Sequence, residues 1–480
     1  MSGATPPAAA VPFWTTDRAR EALADVAARP MPRGPAPFRA VATDTRAIAE
    51  GDLFVALAGD RFDAHDFLAD ALARGARGLV VRELAAVVRA GVPGYVPVFV
   101  VRDTREALGR LARYRRRAWV RPGRAVVGVA GSNGKTTTKE LLRAALGAAR
   151  PVHATSGNLN NLVGVPLTLL ALPDDAELAV VEMGTNAPGE IAALRAIAEP
   201  DVVVMTSIGE EHLEGLGDLA GVLREESDAF DGAALAIVPA DQPEVAAAAR
   251  GRAREVVAAG LDAGDVRAER WAMDADGTGV ITLDGVAVRT PLRGAHNLRN
   301  TMLALAAARA LGVPLADAAR GLAAMPAPSM RIAWTPLGAA TLINDAYNAN
   351  PPSARAALDL LAGAGAVRAG APARQRVAVL GTMRELGAGT PALHDDVARH
   401  ALALGVDVVA GVGEFADALA RVAAGDARVV TAPDPASLWP RLEPRLASDA
   451  VILLKGSRGV RLEQLVPSLE AWATAGATRA

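Results

Sequence analysis

Residues Ala125–Leu146 constrain this chain more than any other stretch. An unbroken apolar run, Ala125 to Ala130, meets Gly131-Ser132-Asn133-Gly134-Lys135-Thr136-Thr137, and an amphipathic segment follows through Leu146. A buried strand that turns through glycines into a helix belongs to a βαβ unit of a mostly parallel sheet. The glycines let backbone N–H groups face phosphate oxygens, and the start of the helix adds its positive dipole end. In such a loop Lys135 reaches the β- and γ-phosphates of a nucleotide, and the Thr136 hydroxyl ligates Mg²⁺. The usual spacing has a further glycine where Val129 stands, so this is a shortened variant. The loop predicts an ATP site. It does not separate kinases, ATPases, switches and ligases.

Composition narrows the class. At 480 residues, two to four domains are expected. A formal net charge of -2 gives no reason to expect nucleic acid as the main partner. The absence of cysteine excludes disulfides, thiol catalysis and thiolate metal sites. Met1 to Pro12 is Ala/Pro-rich without the pattern of a signal peptide, and no apolar run is long enough to span a bilayer. A cytoplasmic protein without membrane insertion is therefore expected. Of 51 basic residues only Lys135, Lys139 and Lys455 are lysine. Arginine replaces lysine on solvated surfaces, but not where a compact ammonium is needed.

The pattern of apolar runs predicts three α/β domains, 1–102, 103–327 and 328–480. In the first, strands at Leu53–Leu57, Leu79–Val81 and Val98–Val101 alternate with helices such as Asp66–Arg74. The second opens with a basic helix, Thr104–Trp119. It continues through strands at Ala125–Ala130, Leu178–Met183, Val202–Thr206 and Leu235–Val238, giving a central P-loop ATPase domain with a mostly parallel sheet. Asp276-Gly277 and Asp284-Gly285 mark hairpins within Trp271–Thr290. Helices at Leu298–Leu311 and Leu315–Ala323 close that domain, and Met325-Pro326-Ala327-Pro328 reads as a stiff linker. Strands at Thr341–Ile343, Val377–Leu380, Val406–Val409, Val429–Thr431 and Val451–Leu454 then alternate with helices, as in a Rossmann-like domain.

Polar residues cluster where strands end. Glu182 closes one strand, and the next leads into Gly209-Glu210-Glu211-His212-Leu213-Glu214-Gly215. Open α/β sheets bind ligands at that rim, so Glu182 and His212 are candidate Mg²⁺ ligands. A plainer reading makes His212 a hydrogen-bonded loop residue. Asp345-Ala346-Tyr347-Asn348-Ala349-Asn350-Pro351 follows a strand and could equally be an Asx-rich helix cap. Lys455-Gly456-Ser457-Arg458-Gly459 could bind an anion or simply turn the chain.

With these residues in place the chain resembles the Mur ligase family along nearly its whole length. Gly131 to Thr137 resembles the family's short ATP loop, and Gly157-Asn158-Leu159-Asn160-Asn161 the segment after it. By that resemblance Lys135, Glu182, His212 and Arg331 are catalytic. Asn297, Asn300, Arg331 and Asp345 join the loop residues at ATP. Thr45, Arg46, Arg61, Asp63, His65, Asp66, Asn160, Asn161, Tyr347, Asn348, Asn350 and Lys455 bind substrate. The first domain resembles the family's UDP-sugar domain, with Ala64 where a glycine is usual. Tyr347 to Pro351 and Leu380 to Gly387 resemble the branch that adds D-alanyl-D-alanine to a UDP-N-acetylmuramoyl-tripeptide through an acyl phosphate in peptidoglycan synthesis. The resemblance implies ATP and Mg²⁺ as cofactors, that tripeptide and D-alanyl-D-alanine as partners, and a monomer. The alternatives are another amide ligase of the group, tripeptide-forming or folylpolyglutamate-forming, or a non-catalytic nucleotide-binding protein. Where the family usually carries a lysine modified to a carbamate, this chain has Glu226, which is expected to ligate Mg²⁺ alongside Thr136, Glu182 and His212.

Overall fold

The computed structural model describes residues 12–59, 62–274, 276–326, 330–364 and 373–477. Arg61, Met1–Val11 and the linker residues Ala327 and Pro328 lie outside the described residues. Two compact units emerge. One takes the described residues up to Arg124 with Thr155–Asp175 and Ala196–Glu199; the other holds Ala125–Ala154, Ala176–Arg195 and Pro200 onward.

The first unit is built on a parallel four-stranded sheet of Val41–Ala42, Leu53–Val55, Gly78–Val81 and Val98–Val100. The helix Thr104–Trp119, expected to open the second domain, belongs to this unit instead. Its buried residues recur at helical spacing, and Ala107, Leu108 and Leu111 share one core with Trp14, Phe38, Leu53 and Phe99. Asp103 starts the helix by accepting hydrogen bonds from the N–H groups of Arg105 and Glu106. Gly109 permits a close approach, since a Cβ there would stand 2.9 Å from Ile197 Cδ1.

In the second unit all seven strands of the central sheet run parallel. Their order is Val152–Ala154, Leu178–Glu182, Ala125–Ala130, Val202–Met205, Leu235–Pro239, Glu255–Gly260, Val266–Arg267. The strand feeding the phosphate loop thus lies between the strands that end at Glu182 and Met205, which puts both rims beside the loop. The expected hairpins form a separate antiparallel sheet of Arg270–Met273, Gly279–Leu283 and Val286–Arg289. Asp284 (φ +46°) and Gly285 (φ +73°) make its tight turn.

The same unit carries a six-stranded sheet ordered Ala333–Leu337, Ala340–Asp345, Val451–Lys455, Arg376–Gly381, Val408–Val412, Val429–Ala432. Only Ala333–Leu337 is antiparallel, and an apolar core lies on each face of the sheet. Asp345 and Lys455 end neighbouring strands in register. N-terminal, central and C-terminal α/β parts with parallel sheets make up the expected architecture.

Candidate active site

Two glycines shape the phosphate loop. Gly131 has φ +113° and Gly134 φ +84°, both in the region L side chains avoid. A Cβ on Gly131 would stand 2.6 Å from Thr206 Oγ1, and one on Gly134 2.8 Å from Asn300 Nδ2. The loop is therefore packed between the neighbouring strand end and the helix Ala295–Ala310, which carries Asn297 and Asn300. Ser132 N–H donates to Ser207 O at 2.7 Å, Gly209 N–H to Ser132 Oγ at 2.9 Å and Asn133 N–H to Ser207 Oγ at 3.2 Å. Asn297 Nδ2 donates to Arg293 O at 2.8 Å.

Lys135 starts the helix Lys135–Gly147 and turns its ammonium back to the loop carbonyls of Gly131 and Ser132. Glu211 Oε1 is 3.2 Å away. Burial pulls the Lys135 pKa down, but the negative charges of Glu211, Glu226 and Glu182 outweigh it and raise it. Burial raises Glu211 as well, against the pull of Lys135 and His212. Glu226 is raised too, to about 7. Burial is the main cause, with Glu211 adding to it and Lys135 and the Gly131 N–H opposing.

The geometry at Glu226 explains this. It lies on the helix Leu219–Ser227 and is buried, with Oε2 accepting from Gly131 N–H at 2.8 Å. Its other oxygen is buried with no hydrogen-bond partner. Such an orphan costs about 1–3 kcal/mol or more. Glu225, next to it, points elsewhere, accepting from Gly189 N–H at 2.7 Å and Ile191 N–H at 2.8 Å. Adjacent helical residues diverge by about 100°, so one helix supplies a bracing carboxylate and a loop-facing one. The solvated acidic face that these residues could have formed is not there.

Thr136 Oγ1 donates to Glu182 Oε1 at 3.0 Å, and Lys139 Nζ lies 4.0 Å from Glu182 Oε2. Among the described residues no group of three or more His, Asp or Glu side chains is arranged as a ready metal cage. Mg²⁺ seldom needs one, being held by one or two carboxylates together with substrate phosphates. The hard-oxygen pair Thr136–Glu182 and the orphaned Glu226 oxygen fit that donor chemistry.

His212 stands differently. Its Nδ1 meets the carboxylate of Glu385, and its Nε2 lies 3.9 Å from Glu211 Oε2. Arg331 stacks over the Tyr347 ring at 4.2 Å, between Met330 (φ +54°) and Ile332 (φ +53°). Lys455 Nζ pairs with Asp345 Oδ2 at 2.7 Å and donates to Asn348 O at 2.7 Å. Asn350 acts as a helix cap, accepting from Ser353 N–H at 3.0 Å.

In the first unit, Arg46 is exposed and bonded to Asp44, with Thr45 beside it at the head of a short 3₁₀ turn. Asp66 is exposed. His65 is buried with both ring nitrogens spent: Nδ1 on Asp63 at 2.6 Å, Nε2 accepting from Arg82 N–H at 2.9 Å. It braces the loop rather than reaching out of it. Ala64 is buried in the 3₁₀ turn Ala64–Phe67, so alanine is accommodated there. Asn160 is half-buried, and Asn161 Oδ1 accepts from Gly164 N–H at 2.9 Å, capping a helix.

Known proteins align with about nine-tenths of this chain. Three family models match it: the Mur ligase family catalytic domain over 37–116, the Mur ligase middle domain over 129–308, and the Mur ligase glutamate ligase domain over 330–458. The UDP-N-acetylmuramoyl-tripeptide–D-alanyl-D-alanine ligase of Escherichia coli is 36% identical over 446 residues, 90% of this chain and 93% of its own length. The enzyme of that name from Bacillus subtilis is 34% identical over 442 residues, 89% of this chain and 92% of its own. The chain belongs to the Mur ligase family. A crystal structure of MurF from Acinetobacter baumannii superposes with TM-score 0.84 at 32% identity, covering 95% of this chain and 99% of that one. MurF from Thermotoga maritima, solved with ADP, gives 0.78 at 27% identity, covering 92% and 98%.

In this Mur ligase, residues that sequence reasoning did not single out stand beside the loop. Glu211 pairs with the phosphate-loop lysine, and Lys139, 1% exposed, lies between Glu140 and Glu182. The scarcity of lysine was the available signal for Lys139. Nothing local separated Glu211 from the acidic residues around it.

Proposed function

We infer that the chain joins D-alanyl-D-alanine to UDP-N-acetylmuramoyl-tripeptide in peptidoglycan synthesis, converting ATP to ADP and phosphate. The observation that carries this is co-linear identity of 34–36% over about nine-tenths of the chain with two enzymes named for that reaction. Amide formation from a carboxylate and an amine is uphill in water, so phosphoryl transfer drives it. A terminal carboxylate oxygen of the tripeptide attacks the γ-phosphorus and ADP leaves. The dipeptide amine then attacks the acyl carbon, loses a proton and expels phosphate. The protein's part is to position anions and neutralise their charge.

Gly131 to Thr137 cradle the phosphates, with the Lys135 ammonium beside them. Nucleotide entry gives that ammonium phosphate oxygens in place of loop carbonyls. Asn297, Asn300, Arg331 and Asp345 surround the rest of the nucleotide. Thr136 and Glu182 would hold Mg²⁺, with Glu226 and His212 as further ligands, and the ion would neutralise phosphate charge. Glu226 carries the carboxylate that a carbamate supplies in relatives, without needing CO₂. Thr45, Arg46, Arg61, Asp63 and Asp66 serve the UDP end, with Asn160 and Asn161, and Tyr347, Asn348 and Lys455 serve the peptide end. No helix of the described residues is long and apolar enough to cross a membrane, and a nucleotide-linked substrate suits a cytoplasmic enzyme.

Phosphate release tests the reading. It should require ATP, the UDP-linked tripeptide and D-alanyl-D-alanine together. Equal release with glutamate as acceptor would favour a polyglutamate-adding enzyme, and release without any acceptor would contradict ligation.

A further inference from the structure

The loop Thr382–Thr390 of the C-terminal part ends at the phosphate-loop side of the central sheet. Its residue Glu385 is the one whose carboxylate meets His212 Nδ1. The contact continues along the backbone, where Glu214 N–H donates to Glu385 O at 3.1 Å. Gly387 (φ +59°) lets the strands of chain run close, since a Cβ there would stand 3.3 Å from Glu214 Cα.

Both partners hold backbones that their residue types resist. His212 has φ +51° and Glu385 φ +65°. Left-handed geometry costs a non-glycine residue about 1–2 kcal/mol. An exposed ion pair contributes about 0–1 kcal/mol. A surface salt bridge therefore does not by itself account for two such residues meeting face to face.

The loop is braced from three directions within its own domain. Met383 N–H donates to buried His394 Nε2 at 2.9 Å, and Arg384 N–H to Ser457 Oγ at 3.0 Å. Glu414 N–H donates to Thr382 Oγ1 at 3.0 Å. The backbone leading into Glu385 is thus tied to the C-terminal sheet. On the other side, Glu211 stands between His212 Nε2, at 3.9 Å, and Lys135 Nζ, at 3.2 Å.

We propose that Glu385 is a positioning residue for ligation, which orients His212 towards the phosphate loop when the C-terminal domain is seated on the central one. With Nδ1–H donated to Glu385, a neutral His212 ring carries its lone pair on Nε2, the nitrogen facing Glu211. A metal-ligating histidine is commonly fixed by donating its other ring N–H to a carboxylate. Here that carboxylate comes from a different domain, so seating of the C-terminal domain and completion of the nucleotide site become one event.

This rests on the reading of the phosphate loop as a Mg²⁺–nucleotide site, and the experiment separates the two. Isothermal titration of ADP at a series of Mg²⁺ concentrations is compared for the full-length protein, Glu385→Ala, His212→Ala and the double variant. Loss of an outer-shell partner weakens metal affinity about 10–100-fold. Glu385→Ala should therefore raise the Mg²⁺ needed for half-maximal ADP binding about 10-fold, and add less than about 2-fold in the His212→Ala background. Glu385→Gln, which keeps an acceptor for the imidazole N–H, should fall between Glu385→Ala and the unmutated protein. Unmutated protein that binds ADP with no Mg²⁺ dependence overturns both readings. Normal Mg²⁺ dependence in Glu385→Ala, or an equal loss with and without His212, overturns this one alone. If Glu385→Ala melts at a lower temperature, the comparison is made with Glu385→Gln, whose unchanged Mg²⁺ dependence and kcat would equally overturn it.

Discussion

Lys135 faces three carboxylates, Glu211, Glu226 and Glu182, inside a protein that otherwise uses arginine for nearly all its positive charge. A guanidinium is planar and longer-reaching, and it cannot sit as a point charge between loop carbonyls. Lys135→Ala should lower turnover at least about 100-fold, the scale seen when one preorganised donor is removed, in a variant that still folds. Near-normal turnover in the folded variant would remove the ATP-site assignment. Lys139 answers a related question, because its buried ammonium stands beside Glu182. Lys139→Met should impair Mg²⁺-dependent ADP binding. At Glu226, the substitution to Gln keeps the shape and removes the charge. Turnover should drop and its Mg²⁺ dependence shift, while added bicarbonate leaves the unmutated enzyme unchanged. A bicarbonate requirement would point to a modified lysine instead.

Elements decide what these residues can reach. The phosphate loop and its flanking secondary structure were legible, because an apolar run, two glycines and an amphipathic helix leave few alternatives. That the strands ending at Glu182 and Met205 flank the loop strand is a matter of sheet order, which local pattern does not encode. Strands Val152–Ala154 and Glu255–Gly260 escaped notice because they are short or alanine-rich, without alternation. Asn161 and Asn350 show another limit, since a capping Asx and a ligand-binding Asx look alike in sequence. The loop carrying Glu385 rests on His394, a buried imidazole whose pKa burial lowers from its ordinary 6.5. Below about pH 6.5 the unfolded chain takes up a proton that the folded one resists. His394 therefore contributes fully above that value and less as pH falls. Thermal midpoints of the unmutated protein and His394→Gln should differ most near pH 7.5 and converge towards about pH 5. A gap that widens on acidification would contradict a neutral imidazole that accepts from Met383 N–H and faces Thr390 O with Nδ1 at 2.7 Å.

The whole molecule divides its work between units that the chain enters more than once. The helix Thr104–Trp119 belongs to the first unit although its neighbour in sequence, Ala125–Ala130, belongs to the second. Apolar periodicity identified the helix without revealing which sheet its stripe covers. A chain ending at Val101 would leave Leu53, Val80 and Phe99 without Leu108 and Leu111, each worth about 1.5–3 kcal/mol when buried. It should show no cooperative thermal transition, and a sharp one would contradict the packing. The central claim is that one active site activates the tripeptide carboxylate with ATP and then aminolyses it. Tripeptide substrate labelled with ¹⁸O in its terminal carboxylate, incubated with ATP and D-alanyl-D-alanine, tests this most directly by mass spectrometry of the released phosphate. One labelled oxygen in each phosphate, with one dipeptide-extended product formed per phosphate, is the result expected. Unlabelled phosphate accompanying that product would contradict the acyl-phosphate account.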